Sequence, residues 1–168
     1  VVKTNSRSVI SEAFRSIRTN ISFLLANKQT EGKVVFVTSS FSREGKTFVS
    51  INLSCITAAS GKKVLLMGLD LRKQNLLDYL GLTKQRGITD YLVNRDSNLK
   101  DLILPVADIP NLYVLPAGDT PPNPAELLMS ERMNEIFEQV RKEYDFVVVD
   151  TAPVALVSDT LIAAPNAD

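Results

Sequence analysis

Thr38–Ser50 reads TSSFSREGKTFVS, and within it Ser40–Thr47 forms a phosphate-binding loop in which serine replaces the usual first glycine. The run Val34–Val37 before it is β-branched and aromatic, and the stretch from Phe48 to Ala59 after it is apolar and helical in pattern. A loop of this kind works only between a buried strand and a helix N-terminus, so this order constrains the fold more than any other feature of the chain. Successive backbone N–H groups would face phosphate oxygens there, the helix dipole adds partial positive charge, Lys46 supplies a full one, and the Thr47 hydroxyl suits Mg²⁺. The candidate nucleotide contacts are Ser40, Ser42, Arg43, Glu44, Gly45, Lys46, Thr47 and Phe48. Such chemistry fits a magnesium nucleoside triphosphate such as ATP, and its product ADP.

The remaining pattern is that of an α/β chain. Apolar residues Ile10, Ala13, Phe14, Ile17, Ile21, Leu24 and Leu25 recur at helical spacing and predict an amphipathic helix over about residues 8–27. Strands are expected at Val34–Thr38, Val64–Leu69, Leu112–Leu115 and Phe146–Val149. Gly61 closes the helix that follows the loop. Short helices are expected over Gln74–Leu80 and Ile88–Val93, a weaker one over Asn98–Leu104, and a long one from about Pro124 to Tyr144. Pro116, Pro121, Pro122 and Pro124, four of the eight prolines, predict an ordered turn before that long helix. Strands apolar along their whole length, alternating with helices, predict a three-layer αβα fold with a mostly parallel central sheet, in one domain spanning residues 1–168.

Composition removes several alternatives. The chain of 168 residues is 45% hydrophobic, enough for one sizeable core. Its 19 basic and 19 acidic residues balance without long like-charge runs, which points away from nucleic acid and polybasic membrane surfaces. It has no histidine, which excludes His-based triads and most catalytic zinc sites. The single Cys55 falls in the apolar pattern of a helix and reads as a small buried hydrophobe. With no apolar run near membrane-spanning length and no signal peptide, a soluble cytoplasmic segment is expected.

Two acids stand where an open parallel sheet displays ligand-facing residues. Asp150 ends the strand Phe146–Val149 and is the candidate Walker B carboxylate, a Mg²⁺ ligand opposite Thr47. Asp70 follows the strand Val64–Leu69 within Gly68-Leu69-Asp70-Leu71-Arg72, where it is placed to orient or deprotonate an attacking hydroxyl. Arg72 is placed to pair with Asp70 or with phosphate oxygens; a plain surface Asp–Arg pair is the alternative.

Taken together, the loop, the DxR strand end, the turn Ala117-Gly118-Asp119-Thr120-Pro121-Pro122-Asn123-Pro124 and Asp150-Thr151-Ala152-Pro153 resemble the cytoplasmic kinase domain of bacterial tyrosine kinases linked to capsule and exopolysaccharide production. Glu12, Arg15 and Arg18 reproduce that family's ExxRxxR element, which the resemblance makes a subunit contact in a ring. It further implies that Lys46 and Thr47 meet ATP phosphates and Mg²⁺, and that Asp70 belongs to a Walker A′ element. Asp70 and Asp150 would serve at the metal, and Lys46, Asp70 and Asp150 would be catalytic. The implied activity is tyrosine autophosphorylation in trans. The implied partners are other copies of the chain and a membrane adaptor segment or polysaccharide export machinery, at the inner face of the membrane through a segment outside this chain. The family pattern has two acids, DxDxR, whereas Gly68 stands at the first here. Either Asp70 serves alone, or turnover is weak, or the chain chiefly binds nucleotide as an interaction module. By the same resemblance, the acceptor-tyrosine tail and a further strand would lie beyond Asp168, making the chain read as truncated at both ends. Tyr79, Tyr91, Tyr113 and Tyr144 are scattered and read as packing residues. A switch ATPase of the partitioning or septum-site type is the competing class. Those proteins carry a second lysine five positions before the invariant one, where this chain has Phe41.

Overall fold

Valines, leucines and phenylalanines with no polar alternation form strands that must be covered on both sides, and helices supply the cover. The computed structural model describes residues 8–28, 31–73, 76–83 and 85–168. Along the chain lie α1 (Val9–Leu24), β1 (Lys33–Val37), α2 (Lys46–Ala58), β2 (Val64–Gly68), α3 (Leu76–Leu80), α4 (Ile88–Val93) and a 3₁₀ turn (Leu99–Leu102). Then come β3 (Leu104–Pro105), β4 (Leu112–Leu115), α5 (Pro124–Leu128), α6 (Glu131–Glu143), β5 (Phe146–Asp150), α7 (Asp159–Ala163) and a final 3₁₀ turn (Ala164–Asn166).

The five strands form one sheet in the order β1-β5-β2-β4-β3. All pairings are parallel except that of β3 with β4 at the edge. Successive residues face opposite layers. Leu65, Met67, Val147 and Val149 pack with Ile88, Met133, Ile136 and Phe137 of α4 and α6. Val64, Leu66, Phe146 and Val148 pack with Ile51, Leu53, Cys55 and Ile56 of α2 and with Phe14 of α1. This is the expected three-layer arrangement, and its register matters for the site. Val37, Asp150 and Gly68 lie side by side at the carboxyl ends of β1, β5 and β2.

Several local expectations are revised. The long helix is interrupted at Met129 and Ser130. Ser130 is extended (φ −69°, ψ 149°), and its hydroxyl donates to the Leu127 carbonyl at 2.6 Å. A serine that bonds nearby backbone in this way competes with helix continuation. The Asn98–Leu104 helix is a 3₁₀ turn followed by β3, whose two residues, one of them a proline, carry no strand signal. α7 was not expected. Of the predicted α1 stripe only Phe14 is buried; Ile10, Ile17 and Leu24 are exposed. Of the Gln74–Leu80 helix, Gln74 lies outside the described residues and α3 covers Leu76–Leu80. Tyr91 and Tyr144 are buried as packing residues, while Tyr79 is exposed. Burial raises Cys55 to about 11, as befits a thiol inside the core.

Candidate functional site

The loop between β1 and α2 turns sharply enough to need left-handed backbone, at Arg43 (φ 69°) and at Gly45 (φ 93°), the latter immediately before α2. Glu44 closes the loop on itself, its carboxylate accepting the Phe41 N–H at 3.0 Å. The base of the loop is bound to the segment after β5. Val154 N–H donates to the Ser39 carbonyl at 2.9 Å, and Ala155 N–H to the Ser40 carbonyl at 3.2 Å. The rings of Phe48 and Phe14 meet edge-on at 6.0 Å, so Phe48 serves the α1–α2 contact.

On α2, Thr47 faces β5. Its hydroxyl donates to Asp150 Oδ2 at 2.7 Å, and the Ser50 hydroxyl lies 3.2 Å from Asp150 Oδ1. The loop motif does not mark Ser50; the sequence signal for it is the i,i+3 spacing from Thr47, which puts both hydroxyls on one helix face. Asp150 is only 3% exposed. Burial pushes its carboxyl above the ordinary range, against the opposing pull of Lys46 and of the Thr47 and Ser50 hydroxyls, while Asp70 adds to the upward push.

Asp70, 5% exposed, sits just past β2. Its Oδ1 accepts the N–H groups of Arg72 (3.3 Å) and Lys73 (3.0 Å). Oδ2 lies 3.2 Å from Lys46 Nζ, close enough for an ion pair but not aligned as a hydrogen bond, and among the described residues it is the one buried side-chain oxygen that lacks a hydrogen-bond partner. The structure thus brings Lys46, Thr47, Asp70 and Asp150 together at three adjacent strand ends. The Arg72 guanidinium is directed elsewhere, forking onto Asp159. Glu12 pairs with Arg15 on α1, and Arg18 donates to the Ile56 carbonyl at 3.3 Å, away from the loop.

A cavity of about 300 Å³ opens beside the two aspartates, with Gly68, Leu76, Leu77 and Pro116 in its wall. A Cβ on Gly68 would lie 3.1 Å from the Leu76 Cδ2 methyl and 3.4 Å from the Ala117 nitrogen, so the missing side chain contributes directly to this space. The donor set is all oxygen and fits Mg²⁺: the Thr47 hydroxyl and the Asp150 carboxylate, with the unsatisfied Asp70 Oδ2 nearby. Among the described residues no group of three His, Cys, Asp or Glu side chains could hold a metal alone, so further ligands would come from phosphate and water, as is usual for Mg²⁺.

A family model described as "AAA domain" matches residues 32–166. Over 168 residues the chain is 38% identical to the tyrosine-protein kinase YwqD of Bacillus subtilis (strain 168), covering all of this chain and 69% of that protein. The kinase domain of Escherichia coli tyrosine kinase ETK is similar with a TM-score of 0.89 and 34% identity, over 97% of this chain and 62% of that one. The septum site-determining protein MinD from Pyrococcus horikoshii OT3, complexed with Mg-ADP, is similar with a TM-score of 0.66 and 27% identity, over 81% and 55% of the two chains. The fold is therefore shared by kinases and by at least one protein of another class, but the extent and level of identity separate them: this chain belongs to the family of bacterial tyrosine-protein kinases.

Proposed function

We propose that this domain transfers the γ-phosphoryl group of ATP to tyrosine. The observation that carries the reading is the convergence of Lys46, Asp70 and the Thr47–Asp150 pair at the carboxyl ends of β1, β2 and β5. Asp70 Oδ2, buried and without a hydrogen bond, is the base. The acceptor tyrosine oxygen bonds to the γ-phosphorus as the bond from that phosphorus to the β–γ bridging oxygen breaks; ADP leaves, and the tyrosine proton passes to Asp70 Oδ2. Lys46 and the N–H groups of the loop offset charge on the transferring phosphoryl group. Thr47 and Asp150 would hold Mg²⁺, which when bound neutralises phosphate charge. Ser50 keeps the Asp150 carboxylate turned toward Thr47. Ser40, Ser42, Arg43 and Gly45 frame the phosphates, the Phe48 ring is committed to α1, and Glu44 holds the loop closed.

The activity belongs, on this reading, to an autokinase acting in trans between copies of the chain, with Glu12, Arg15 and Arg18 at the contact, and it regulates capsular or exopolysaccharide synthesis. Among the described residues no helix is long and apolar enough to cross a membrane. The domain would work at the cytoplasmic face of the membrane beside an adaptor segment or export machinery. Phe41, exposed at the position where switch ATPases carry a second lysine, favours the kinase over that class. Gly68 favours one second reading, a nucleotide-gated interaction module with weak turnover.

Incubation with γ-labelled ATP, Mg²⁺ and a tyrosine-containing acceptor polypeptide separates the three. Label on tyrosine that disappears in Lys46→Met is the expected result. Undiminished label in that variant would overturn the assignment, release of free phosphate alone would support a switch ATPase, and binding without either would support the module.

A further inference from the structure

The direction of Asp70 Oδ2 is set by its neighbour on the same carboxylate. Oδ1 is held by the N–H groups of Arg72 and Lys73, so wherever the backbone at 72–73 goes, Oδ2 turns with it. That backbone is tied to a distant element. Arg72 Nε and Nη2 donate to Asp159 Oδ2 and Oδ1 at 2.9 and 3.2 Å, a fork-on-fork pair spanning 87 residues of sequence. Asp159 is 1% exposed, at the first residue of α7, whereas the Arg72 side chain is nearly half exposed. A carboxylate so fully removed from water gains little net stability from one partly solvated arginine, but the two-pronged geometry fixes that arginine's position and orientation. The far end of the fork is itself anchored to the site. The Thr160 hydroxyl donates to the Ala152 carbonyl at 2.6 Å, and Ala152 lies two residues beyond Asp150 in the segment bound to the phosphate loop. Asp159 thus joins the loop after β2 to the loop after β5, the two segments whose aspartates must keep a fixed separation.

We propose that Asp159 is a positioning residue for Asp70, acting through Arg72 to aim Asp70 Oδ2 at the acceptor hydroxyl. The proposal rests on Asp70 being the base of the reaction above. The misplacement of a reacting group by about 1 Å costs on the order of a hundredfold in rate, so loss of the fork is felt in turnover before it is felt in nucleotide affinity.

The test compares the wild type, Asp159→Asn, Asp70→Asn and the double variant for ADP formation with Mg-ATP and a tyrosine-containing acceptor, and for affinity toward a fluorescent ATP analogue. Asp159→Asn is expected to lower kcat about ten- to a hundredfold, with nucleotide affinity unchanged within about twofold, and to cost nothing further once Asp70 is already Asn. Loss of nucleotide affinity in parallel with kcat, or an equal further loss in the Asp70→Asn background, would make Asp159 a structural residue only and overturn the proposal. Should Asp159→Asn fail to fold, Arg72→Lys, which keeps the charge and removes the fork, is expected to give the same pattern to a smaller degree, and an unchanged kcat there overturns it. ADP formed with free phosphate instead of phosphotyrosine would sink the kinase assignment while leaving the Asp159 comparison decisive. No ADP formation by the wild type would remove both.

Discussion

Asp150 carries opposing demands that decide how the site responds to pH. Burial raises its carboxyl above the ordinary carboxylate range, so the native protein binds this proton more tightly than the unfolded chain does. Stability from this group is therefore present below the unfolded value and is lost as pH rises through the raised native one; at neutral pH the ionised Asp150 is a net burden on the nucleotide-free fold. Asp150→Asn should accordingly raise the thermal midpoint of the nucleotide-free protein at pH 7, with the gain vanishing in acid below the ordinary carboxylate range. A lower midpoint at pH 7 would show that the Thr47 and Ser50 hydroxyls outweigh desolvation. The same variant should lose the stabilisation by Mg-ATP, about 2.7 kcal/mol at a hundred times Kd in the wild type. Lys46→Met removes the cation 3.2 Å from Asp70 and should abolish phosphotransfer while leaving Asp70 without its counter-charge. At this scale the sequence was informative about residue type and uninformative about pairing. Lys46, Thr47, Asp70 and Asp150 were all legible as candidates. That Arg72 would fork onto Asp159, and that Ser50 would join Thr47 on Asp150, depended on contacts 87 and 100 residues apart.

Among the elements, α1 is attached by little. Phe14 is its buried apolar side chain, Ser11 is buried beside the Ser8 cap, and the rest of the apolar stripe is exposed or half-covered. Phe14→Ala should cost about 3–5 kcal/mol and release α1 from α2, read as a lower midpoint in urea. The ExxRxxR residues divide by role. Glu12 and Arg15 pair with each other near the surface, where such a bridge contributes about 0–1 kcal/mol, so the double change Glu12→Ala/Arg15→Ala should leave stability within about 1 kcal/mol while shifting light scattering toward monomer. Arg18 also donates to the Ile56 carbonyl of α2, and Arg18→Ala should lower stability by about 1 kcal/mol as well. No shift toward monomer in the first variant would return Glu12 and Arg15 to an ordinary solvated face. Helix periodicity located α1 well because it depends on residues three and four apart. It carried the Pro124–Tyr144 helix across Ser130 because a single serine hydroxyl bonding to the Leu127 carbonyl leaves no trace in the pattern of apolar residues.

Across the whole molecule, two close backbone approaches lock the cavity wall to the sheet. Gly87 lies where a Cβ would come within 2.1 Å of the Pro116 carbonyl oxygen and 2.5 Å of the Gly118 nitrogen, atoms that cannot rotate away. The start of α4 is bonded to that same strand end, Ile88 N–H to the Pro116 carbonyl and Thr89 N–H to the Ala117 carbonyl, both at 2.9 Å. Gly87→Ala should cost about 1–3 kcal/mol or more, lowering the urea midpoint, and should weaken turnover because Pro116 walls the cavity beside Asp70 and Asp150. An unchanged midpoint would mean that α4 shifts without strain. By itself the sequence determined what local forces decide: apolar strands that must be covered on both faces, a loop poised on a helix N-terminus, and acids at strand ends. Only the tertiary structure decided which strands are neighbours. The order β1-β5-β2 sets Asp150 between the phosphate loop and Asp70, and that adjacency comes from hydrogen-bond register between segments about a hundred residues apart, which no spacing within one segment encodes.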